Sequence, residues 1–407
     1  DYIQFVRLDP QWRCFYADGV ILDLRDDPQQ FMADLDRQFP GAGAGKGYAA
    51  FLAYARKMLG LSEQVFFYKD LEGVRDMMRV TPMRDPRLLK AVLGMRMHST
   101  VGATAHGMIR EPHVRQLAEH FLQYVGSSPF LAPAILALIA AAQSDYGCWY
   151  AVGGTRMVAR ALERLAGELG VRVRTGAGVT RIREAGGHVT GVELEGGEVL
   201  PASAVISNCD VQRTLSGLLG TPSAKSRRTK IARTYTPACS GLVLYLGLDR
   251  QYEHLAHHNF IFSGDSRQEF DDIYARGIPA RDPSIYLCVP SRSEPTQAPP
   301  GGEALYALIH TPYLRQGQRW EGPGGLLEQY RPVVIDKLKT CGAAAMPDLE
   351  QHIVCEHTLT PGGIERLYNA EGGAIYGLAS HGRLAGGFKP RNRSRVYKNL
   401  YLAGGSV

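Results

Sequence analysis

The stretch from Gly147 to Ile182, GCWYAVGGTRMVARALERLAGELGVRVRTGAGVTRI, carries the most regular pattern in the chain. Its first residues are typical of a strand, and the turn Gly153-Gly154-Thr155 follows them. Apolar residues then recur at helical spacing, which predicts an amphipathic helix from Thr155 to Leu169 with Gly170 as its C-cap. A second strand is predicted from Val171 to Arg174. Strand, turn, helix and strand in this order are typical of a parallel α/β unit.

The pattern continues on the carboxyl side of this unit. A hairpin-like pair that turns at Gly186-Gly187 and Gly196-Gly197 is followed by a short buried strand in SAVISNCD, residues 203–210. The final run NLYLAGGSV, residues 399–407, predicts a further strand of the same sheet, whose glycines let the backbone approach a ligand. Strand, helix, strand, antiparallel excursion and strand make half of a dinucleotide-binding domain. We therefore expect an α/β fold with a Rossmann-like domain.

The remaining segments indicate a second domain interleaved with the first. Residues 1–25 alternate as a β-meander with a tight turn at Asp18-Gly19, and residues 28–142 have helical spacing. Strands predicted in SGLVLYLGL, SIYLCVP and EALYALIHTP are expected to form a mixed sheet that the meander joins, beside a helix in LLEQYRPVVIDKLKTC. The prolines expected to separate the early helices are Pro82, Pro86, Pro112 and Pro129. The predicted boundaries are a helical substrate domain over 1–142, cofactor-domain parts over 143–210 and 386–407, and a mixed-sheet substrate domain over 211–385.

Composition limits the classes of function. The 407 residues include 45% hydrophobic and 21% charged side chains, as in a globular protein large enough for two domains. The net charge of +6 is spread along the chain, without basic runs interleaved with aromatics, which argues against nucleic acid as a partner. The cluster Lys225–Lys230 is interpreted as a solvated loop, with contact to anionic lipid as the alternative. Seven widely spaced cysteines without a C-x-x-C motif indicate reduced thiols in a cytosolic compartment.

The most apolar stretch of the chain is residues 130–142, FLAPAILALIAAA. It is too short to cross a bilayer, which takes about 20 residues. It fits a core helix, a wall of an apolar pocket or a patch that dips into a membrane surface, and the sequence does not choose among these.

Several short motifs resemble functional sites, but the sequence around them does not support a functional role. Gly45-Lys46-Gly47 has the spacing of a nucleotide loop, but no strand precedes it, so we interpret it as a flexible helix connector. A metal site is expected to place an i, i+4 pair or a carboxylate partner on a regular element, whereas His254, His257 and His258 lie in an expected loop before a strand, so no metal is expected. The chain has no G-x-S-x-G motif and no cysteine beside an evident base. Nucleophilic catalysis therefore has no support.

Glycines and polar caps at the predicted strand ends form a consistent set. The Gly153-Gly154 turn opens a helix whose amino end can face an anion or a flavin edge, and the backbone around Gly176, Gly178 and Val179 can pair with a flat ring. Each is individually an ordinary turn glycine or cap. At the ends of successive strands of one sheet, however, they favour a dinucleotide cradle. The candidate cofactor-binding residues are Gly153, Gly154, Val179, Asn208, Asp210, Gly404, Gly405 and Ser406.

Taken in order, these segments resemble the bacterial and fungal phytoene desaturase family of carotenoid desaturases, within the flavin amine oxidoreductase superfamily. The resemblance spans essentially the whole chain and implies FAD, held by a glutathione reductase-type Rossmann-like domain. In that family a G-x-G-x-x-G strand precedes the position of residue 1 and a His-Pro-Gly motif follows that of Val407, so the chain is expected to be trimmed at both ends. The matching pieces are RLDPQWRCFYADGVILDL, GCWYAVGGTRMVARALERLAGELGVRV, AVISNCD, CSGLVLYLGL, HLAHHNFIF, PSIYLCVPS, LAGGFKPRNRS and NLYLAGGSV.

The resemblance also implies a reaction and its residues. In the family, FAD takes two electrons and a hydrogen from a saturated carbon pair of an isoprenoid chain such as phytoene, which leaves a trans double bond. An acidic and arginine cluster of the family lies near Glu111 and Arg115, which are spaced i, i+4. Arg391 is a further candidate, and an exposed ion pair is the ordinary alternative for each set. The candidate catalytic residues are therefore Glu111, Arg115 and Arg391.

Because polyenes reside in lipid, the resemblance implies a cytoplasmic enzyme peripherally associated with a membrane surface, with residues 130–142 as the candidate patch. A quinone or oxygen is expected to reoxidise the flavin. Lys389 and Arg391 replace the Arg and His of many relatives, which leaves a carotenoid oxygenase or a 3,4-desaturase as alternatives. Rab GDP-dissociation inhibitors show that such a fold can also bind prenyl lipids without flavin. A flavin-dependent amine oxidase requires an aromatic cage and usually a cysteine or lysine near the flavin, which the sequence does not locate.

Overall fold

The computed structural model describes residues 2–65, 67–68, 71–73, 76, 94–96, 98–382 and 388–407. Its strands are β1 Phe5–Arg7, β2 Trp12–Phe15, β3 Ile21–Leu24, β4 Trp149–Ala151, β5 Val179–Ala185, β6 His188–Leu194, β7 Val199–Pro201, β8 Val205–Ser207, β9 Ser240–Leu248, β10 His258–Ile261, β11 Ile285–Cys288, β12 Glu303–Thr311, β13 Ile353–Leu359 and β14 Leu400–Leu402. Its helices are α1 Pro28–Gln38, α2 Ala44–Val65, α3 Val101–Met108, α4 Pro112–His120, α5 Leu138–Tyr146, α6 Arg156–Glu168, α7 Val211–Arg213, α8 Pro222–Thr234, α9 Ser266–Phe270, α10 Leu326–Thr340 and α11 Pro361–Tyr368. Wider π-helical turns extend α7 over Thr214–Leu219 and α9 over Asp271–Arg276.

A seven-stranded mixed sheet is the centre of the fold, in the order β13-β9-β12-β11-β10-β2-β3. The hairpin β2–β3 turns at Asp18-Gly19, where Gly19 has a φ of +88° that suits glycine. β2 pairs in parallel with β10, so the opening hairpin joins the sheet formed by the later strands. The prediction that the meander shares this second sheet is confirmed for β2 and β3, whereas β1 pairs with β4 outside it.

The two faces of this sheet bury different cores. On one face, Leu244, Leu305 and Ile309 belong to a buried cluster that includes side chains of α10. On the other face, Trp12 and Phe260 belong to a cluster with the helices of residues 28–142. Because successive side chains of a strand point to opposite faces, β2 contributes Cys14 to one core and Phe15 to the other, and β10 contributes Phe260 and Ile261 in the same way.

The glycines of Gly45-Lys46-Gly47 lie inside α2 and serve helix packing. A Cβ on Gly45 would lie 2.6 Å from Asp36 Oδ2 of α1, and one on Gly47 would lie 2.9 Å from Met108 O of α3. Only glycine allows these helices to approach so closely. The segment is the first turn of a long helix, which agrees with the rejection of a nucleotide loop. The interpretation of the segment as a flexible helix connector is wrong.

Residues 130–142 form part of the core of the helical block. They include a 3₁₀ turn, Ala134–Ala137, and the start of α5, and Ala132, Ala137 and Ala140 are fully buried. Leu131, at 44% exposure, is the main exception. The core reading is therefore right, and this stretch does not form the expected membrane-facing patch. In the described parts of the chain, we find no helix with both the length and the apolar character needed to span a bilayer.

Two local expectations concern helix boundaries and thiols. Lys225–Lys230 lies within α8, whose N-cap Thr221 accepts a hydrogen bond from Ala224 N, so the predicted loop is wrong. Pro112 starts α4, whereas Pro82 and Pro86 lie outside the described residues. All seven cysteines are free thiols, as predicted.

The Rossmann-like elements are present, but their strands do not form one sheet. α6 falls within its predicted bounds and Gly170, with φ of +79°, follows it; β8 and β14 pair in parallel, as expected. Residues 171–174 form no strand, because Val171 and Val173 remain 56% exposed and lack a partner surface to bury them. β4 pairs with β1, and β5 with β6, so the predicted strand ends are distributed over three small sheets. The expectation of a single sheet is wrong for the described residues.

Candidate functional site

A cavity of about 220 Å³ opens on the face of the seven-stranded sheet that meets the helical block. Strand register places its walls: Phe260 of β10 lies opposite Tyr286 of β11, which lies opposite Leu308 of β12. His258 and His310 are two residues away on β10 and β12, and therefore share this face. The lining residues are Trp12, His120, Gln123, Tyr124, His258, Phe260, Tyr286, Leu308, His310 and Tyr376.

Aromatic rings form most of the cavity wall. The ring of Phe260 lies 4.7 Å from that of Trp12, 4.4 Å from that of His120 and 5.1 Å from that of Tyr286, measured between centroids. Flat, weakly polar walls of this kind fit a planar, apolar ligand. The cavity can therefore hold an unsaturated hydrocarbon chain and exclude water from it.

Two side chains in this apolar wall have polar atoms without partners. Both amide atoms of Gln123 and the Nε2 atom of His120 are buried and make no hydrogen bond to the described residues. The residues are 4% and 6% exposed, respectively. A buried polar group without a partner costs about 1–3 kcal/mol, so these atoms favour a ligand that carries an oxygen.

The cavity histidines are neutral at neutral pH. Burial lowers the pKa of His120 to about 3, an effect that nearby His310 increases, and burial and His257 lower the pKa of His258 to about 3. Burial also lowers the pKa of His310 to about 4. Because imidazolium would be poorly solvated here, these rings offer neutral donors and acceptors to a ligand.

The ends of β8 and β14 bring together five predicted cofactor-binding residues. Asn208 Nδ2 donates to Ala403 O at 3.1 Å, and Ser406 Oγ accepts from Val211 N at 2.9 Å. A Cβ on Gly405 would lie 2.9 Å from the backbone oxygen of Tyr376, whose side chain lines the cavity. This edge therefore adjoins the cavity. The residues gathered here are Asn208, Asp210, Gly404, Gly405 and Ser406.

The Gly153-Gly154 turn is connected to the cavity region through Tyr150 and His257. Gly153 N donates to Glu294 Oε2 at 2.8 Å, and Tyr150 OH donates to the same oxygen at 2.7 Å. These two hydrogen bonds hold the pKa of Glu294 at about 2, so the carboxylate is charged. The Tyr150 ring lies 4.9 Å from that of His257, which precedes the cavity residue His258.

Residues 7–301 match the family of flavin-containing amine oxidoreductases. The chain belongs to this family. It is accordingly an FAD-dependent oxidoreductase with an FAD-binding Rossmann-like α/β fold.

The relatives that cover the whole chain include two oxygenases. A 4,4'-diapolycopene oxygenase from Methylomonas sp is 37% identical over 412 residues, which are 100% of this chain and 79% of the relative. A 4,4'-diaponeurosporene oxygenase from Staphylococcus haemolyticus is 36% identical over 410 residues, with coverage of 100% and 78%.

Solved structures with little sequence identity share the fold. Putrescine oxidase has a TM-score of 0.57 at 12% identity, over 98% of this chain and 77% of that chain. An oxidoreductase from Methanosarcina mazei has a TM-score of 0.51 at 17% identity, over 82% and 68% of the two chains. These similarities show a common fold.

The glycines of this oxidoreductase differ in how well they fit FAD. Gly154 has a φ of +88°, and a Cβ there would meet no atom within 4 Å, so its backbone is open to a ligand at the start of α6. A Cβ on Gly153 would meet Met157, and one on Gly404 would lie 3.0 Å from Asn208 Nδ2. Both residues have a positive φ, +87° and +112°, so the backbone conformation already favours glycine at both places. Val179, the first residue of β5, is 39% exposed and belongs to a separate three-stranded sheet. The fit to FAD thus rests on Gly154 and the β8–β14 edge, and the assignment of individual residues stays a prediction.

Glu111 caps a helix. Its carboxylate accepts from Val114 N at 2.9 Å and bonds His113 Nδ1 at 2.7 Å, as the N-cap of α4. His120 of the cavity lies at the other end of that helix, about 13 Å along its axis. Among the described residues, the Glu111 carboxylate pairs with His113 and forms no ion pair with Arg115. The structure does not bring this predicted catalytic pair to the cavity.

Arg391 lies in a group of ion pairs away from the cavity lining. It bonds Asp76 at 2.6 Å, and Arg395 bonds Glu72 at 2.6 Å. The groove beside them is larger than the cavity, at about 620 Å³, but it is lined by several charged side chains and is open to solvent. Such walls do not suit a hydrocarbon. We therefore place the candidate reaction site in the aromatic cavity, and the catalytic role predicted for Arg391 stays untested.

The cavity residues were absent from the candidates chosen by sequence. Their signal is the alternation in HNFI and IYLC, where His258 and Phe260 on one strand and Tyr286 and Cys288 on the next share a face. This alternation locates the cavity only when the pairing of β10 with β11 is known, and the sequence alone does not give that pairing. Gln123 and Tyr124 lie in a 3₁₀ turn after α4, where periodicity gives no face.

Proposed function

We propose that this oxidoreductase oxidises the end of an acyclic carotenoid, as an oxygenase of the 4,4'-diapolycopene type. The observation that carries the proposal is the combination of aromatic walls with the unpartnered amide of Gln123 and Nε2 of His120. The names of the two oxygenases described above, which match the whole chain, agree with it.

The cavity offers both parts of such a substrate a suitable environment. The rings of Trp12, Phe260 and Tyr286 can confine the flat polyene and keep water from its reacting end. An oxygen formed on the terminal carbon would accept from the Gln123 amide, which a pure hydrocarbon leaves unpaired. The side chains thus bind an oxygenated end better than a methyl end.

The chemistry that FAD supplies when bound is two-electron transfer with the substrate. Conversion of a terminal methyl to an aldehyde by one molecule of dioxygen releases one water, so atoms and electrons balance. The described residues contribute orientation, exclusion of water and a neutral hydrogen-bonding surface. The Gly153-Gly154 turn and the residues after β8 and β14 are proposed to hold the cofactor.

Desaturation of a saturated precursor such as phytoene is the second candidate. The absence of charge on the cavity histidines at neutral pH favours a pure hydrocarbon as much as an oxygenated one. In this case a trans double bond forms in place of a carbon–oxygen bond, and a quinone or oxygen accepts the electrons. A membrane surface is the proposed source of either substrate, since both partition into lipid.

The test is product analysis with FAD-loaded protein and liposomes that contain either 4,4'-diapolycopene or phytoene, under isotopically labelled dioxygen. We expect the mass spectrum of the diapolycopene product to show labelled oxygen. New double bonds in phytoene without label would favour the desaturase. Polyene that binds but returns unchanged from both incubations would contradict an enzyme of either kind and favour a lipid carrier.

A further inference from the structure

Two histidines and one cysteine meet beside the cavity and are not used in the proposed reaction. His258 and Cys288 are directly opposite each other on the antiparallel strands β10 and β11, and His257 precedes His258. One ring nitrogen of each histidine and the Sγ of Cys288 all lie within 4.8 Å of one another. His258 also lines the cavity, so the cluster has one side toward the substrate space.

The spacing of the donor atoms suits tetrahedral coordination. His257 Nε2 lies 3.6 Å from Cys288 Sγ. With Zn–N near 2.0–2.1 Å and Zn–S near 2.3 Å, tetrahedral geometry sets ligand nitrogen and sulfur about 3.6 Å apart. The widest separation in the cluster needs to close by at most about 1–1.5 Å, which a turn of one imidazole ring provides.

One ring nitrogen of each histidine is held by a hydroxyl group. His257 Nδ1 lies 2.7 Å from Ser293 Oγ, and His258 Nδ1 lies 2.7 Å from Tyr286 OH. Hydrogen bonds of this kind orient ligating histidines and fix which nitrogen faces the metal. The Ser293 contact fits a His257 ring that carries its proton on Nδ1, which leaves Nε2 directed at the sulfur.

We propose that His257, His258 and Cys288 bind a zinc-class divalent ion, with its fourth position open toward the cavity. Imidazole and thiolate are the donors that Zn²⁺ prefers, and a site with three protein ligands keeps a position for water or an oxygen of the substrate. The ordinary alternative is a thiol that donates a hydrogen bond to His257. The inference goes beyond the proposed function and does not depend on it, because metal binding is measured without turnover.

Cobalt substitution tests the site directly. FAD-loaded protein is titrated with Co²⁺ and its absorbance followed at wavelengths longer than those of oxidised flavin, where tetrahedral Co²⁺ absorbs. We expect these bands to saturate at one Co²⁺ per chain and Zn²⁺ to displace them. A wild-type spectrum without such bands would overturn the proposal.

Matched variants identify the ligands. Cys288→Ser is expected to abolish the Co²⁺ bands, whereas Cys341→Ser, at a thiol of similar partial exposure away from the cluster, keeps them. Ser293→Ala is expected to weaken Co²⁺ binding by roughly 10- to 100-fold, because it frees the His257 ring. Bands that persist unchanged in Cys288→Ser would contradict the assignment.

A measurement on the wild-type chain covers the case in which Cys288→Ser does not fold. Alkylation of the cysteines is followed by mass spectrometry with and without Zn²⁺. We expect Zn²⁺ to protect Cys288 and leave the exposed Cys355 reactive. Equal alkylation of Cys288 with and without Zn²⁺ would overturn the site.

Discussion

The buried amide of Gln123 is expected to lower the stability of the folded protein and to contribute to substrate binding. Its two polar atoms lie in an aromatic wall without partners among the described residues. We expect Gln123→Leu to raise the free energy of unfolding by about 1–3 kcal/mol, because it removes an unsatisfied group. We also expect it to lower turnover of 4,4'-diapolycopene by about tenfold, measured by product formation, through loss of the bond to the oxidised end.

Gln143 is the matched control for this prediction. Both polar atoms of its side chain are also buried and unpartnered, but it lies on α5, outside the cavity lining. Gln143→Leu should therefore stabilise the protein to a similar extent and leave turnover unchanged. If both variants reduced turnover equally, the role assigned to Gln123 would be wrong.

Glu294 fixes the turn where β4 passes into α6, so its prediction belongs to the element scale. Its carboxylate accepts from Gly153 N and from Tyr150 OH. Glu294→Gln removes the negative charge that strengthens both hydrogen bonds, and we expect the turn to hold FAD less tightly. The measurement is the ratio of flavin to protein absorbance after gel filtration.

Thr296→Val serves as the control for Glu294→Gln. It removes the 3.1 Å bond from Thr296 Oγ1 to Glu294 and leaves the bonds to the turn in place. Its flavin content should equal that of the wild type. Full flavin content in Glu294→Gln would show that this turn does not hold the cofactor.

The close approach of residues 376–377 to the loop after β14 gives a second element-scale prediction. A Cβ on Gly377, whose φ is +70°, would lie 2.6 Å from Gly405 O. Gly377→Ala should therefore lower the free energy of unfolding by roughly 1–2 kcal/mol for the left-handed backbone and by a further roughly 1–3 kcal/mol for overlap. Urea unfolding measures both terms together.

Gly322→Ala isolates the backbone term. Gly322 has a φ of +79°, but a Cβ there would meet no atom within 4 Å. Gly322→Ala should therefore lose only the roughly 1–2 kcal/mol of unfolding free energy that comes from the left-handed backbone. Equal losses of unfolding free energy in Gly377→Ala and Gly322→Ala would contradict the predicted overlap of the Gly377→Ala side chain with the loop after β14.

Predictability from sequence differs between elements for physical reasons. The bounds of β9 and α10 follow from local alternation and helical spacing, and the structure reproduces them. The pairings β2–β10 and β4–β1 join segments far apart in the chain, and their register depends on tertiary packing that a local pattern does not contain. The same limit hid the cavity, since its wall is assembled by these pairings.

Across the whole molecule, buried histidines couple stability to pH. Burial lowers the pKa of His120 to about 3, whereas an unfolded histidine titrates near 6.5. Since the unfolded chain binds the proton first, this contribution to stability is complete above about pH 6.5 and is lost as pH falls toward about 3. We expect His120→Leu to flatten the fall of the unfolding free energy over this window, as measured by urea titrations at several pH values.

A substitution at an exposed histidine controls for the general effect of acid. His188 is exposed at the start of β6. His188→Leu reports how a histidine-to-leucine change at the surface affects the unfolding free energy over the same pH series, and the His120→Leu curve is compared with it. A His120→Leu curve parallel to that of the wild type would mean that this ring is not neutral in the folded protein.

At this scale the central claim is that the cavity and the cofactor act together on a polyene. The most direct test compares conversion of 4,4'-diapolycopene by FAD-loaded and FAD-free protein in the same liposomes under air. The account predicts an oxygenated polyene from the FAD-loaded protein alone. Folded, flavin-loaded protein that returns the polyene unchanged, or conversion that is equal without FAD, would contradict it.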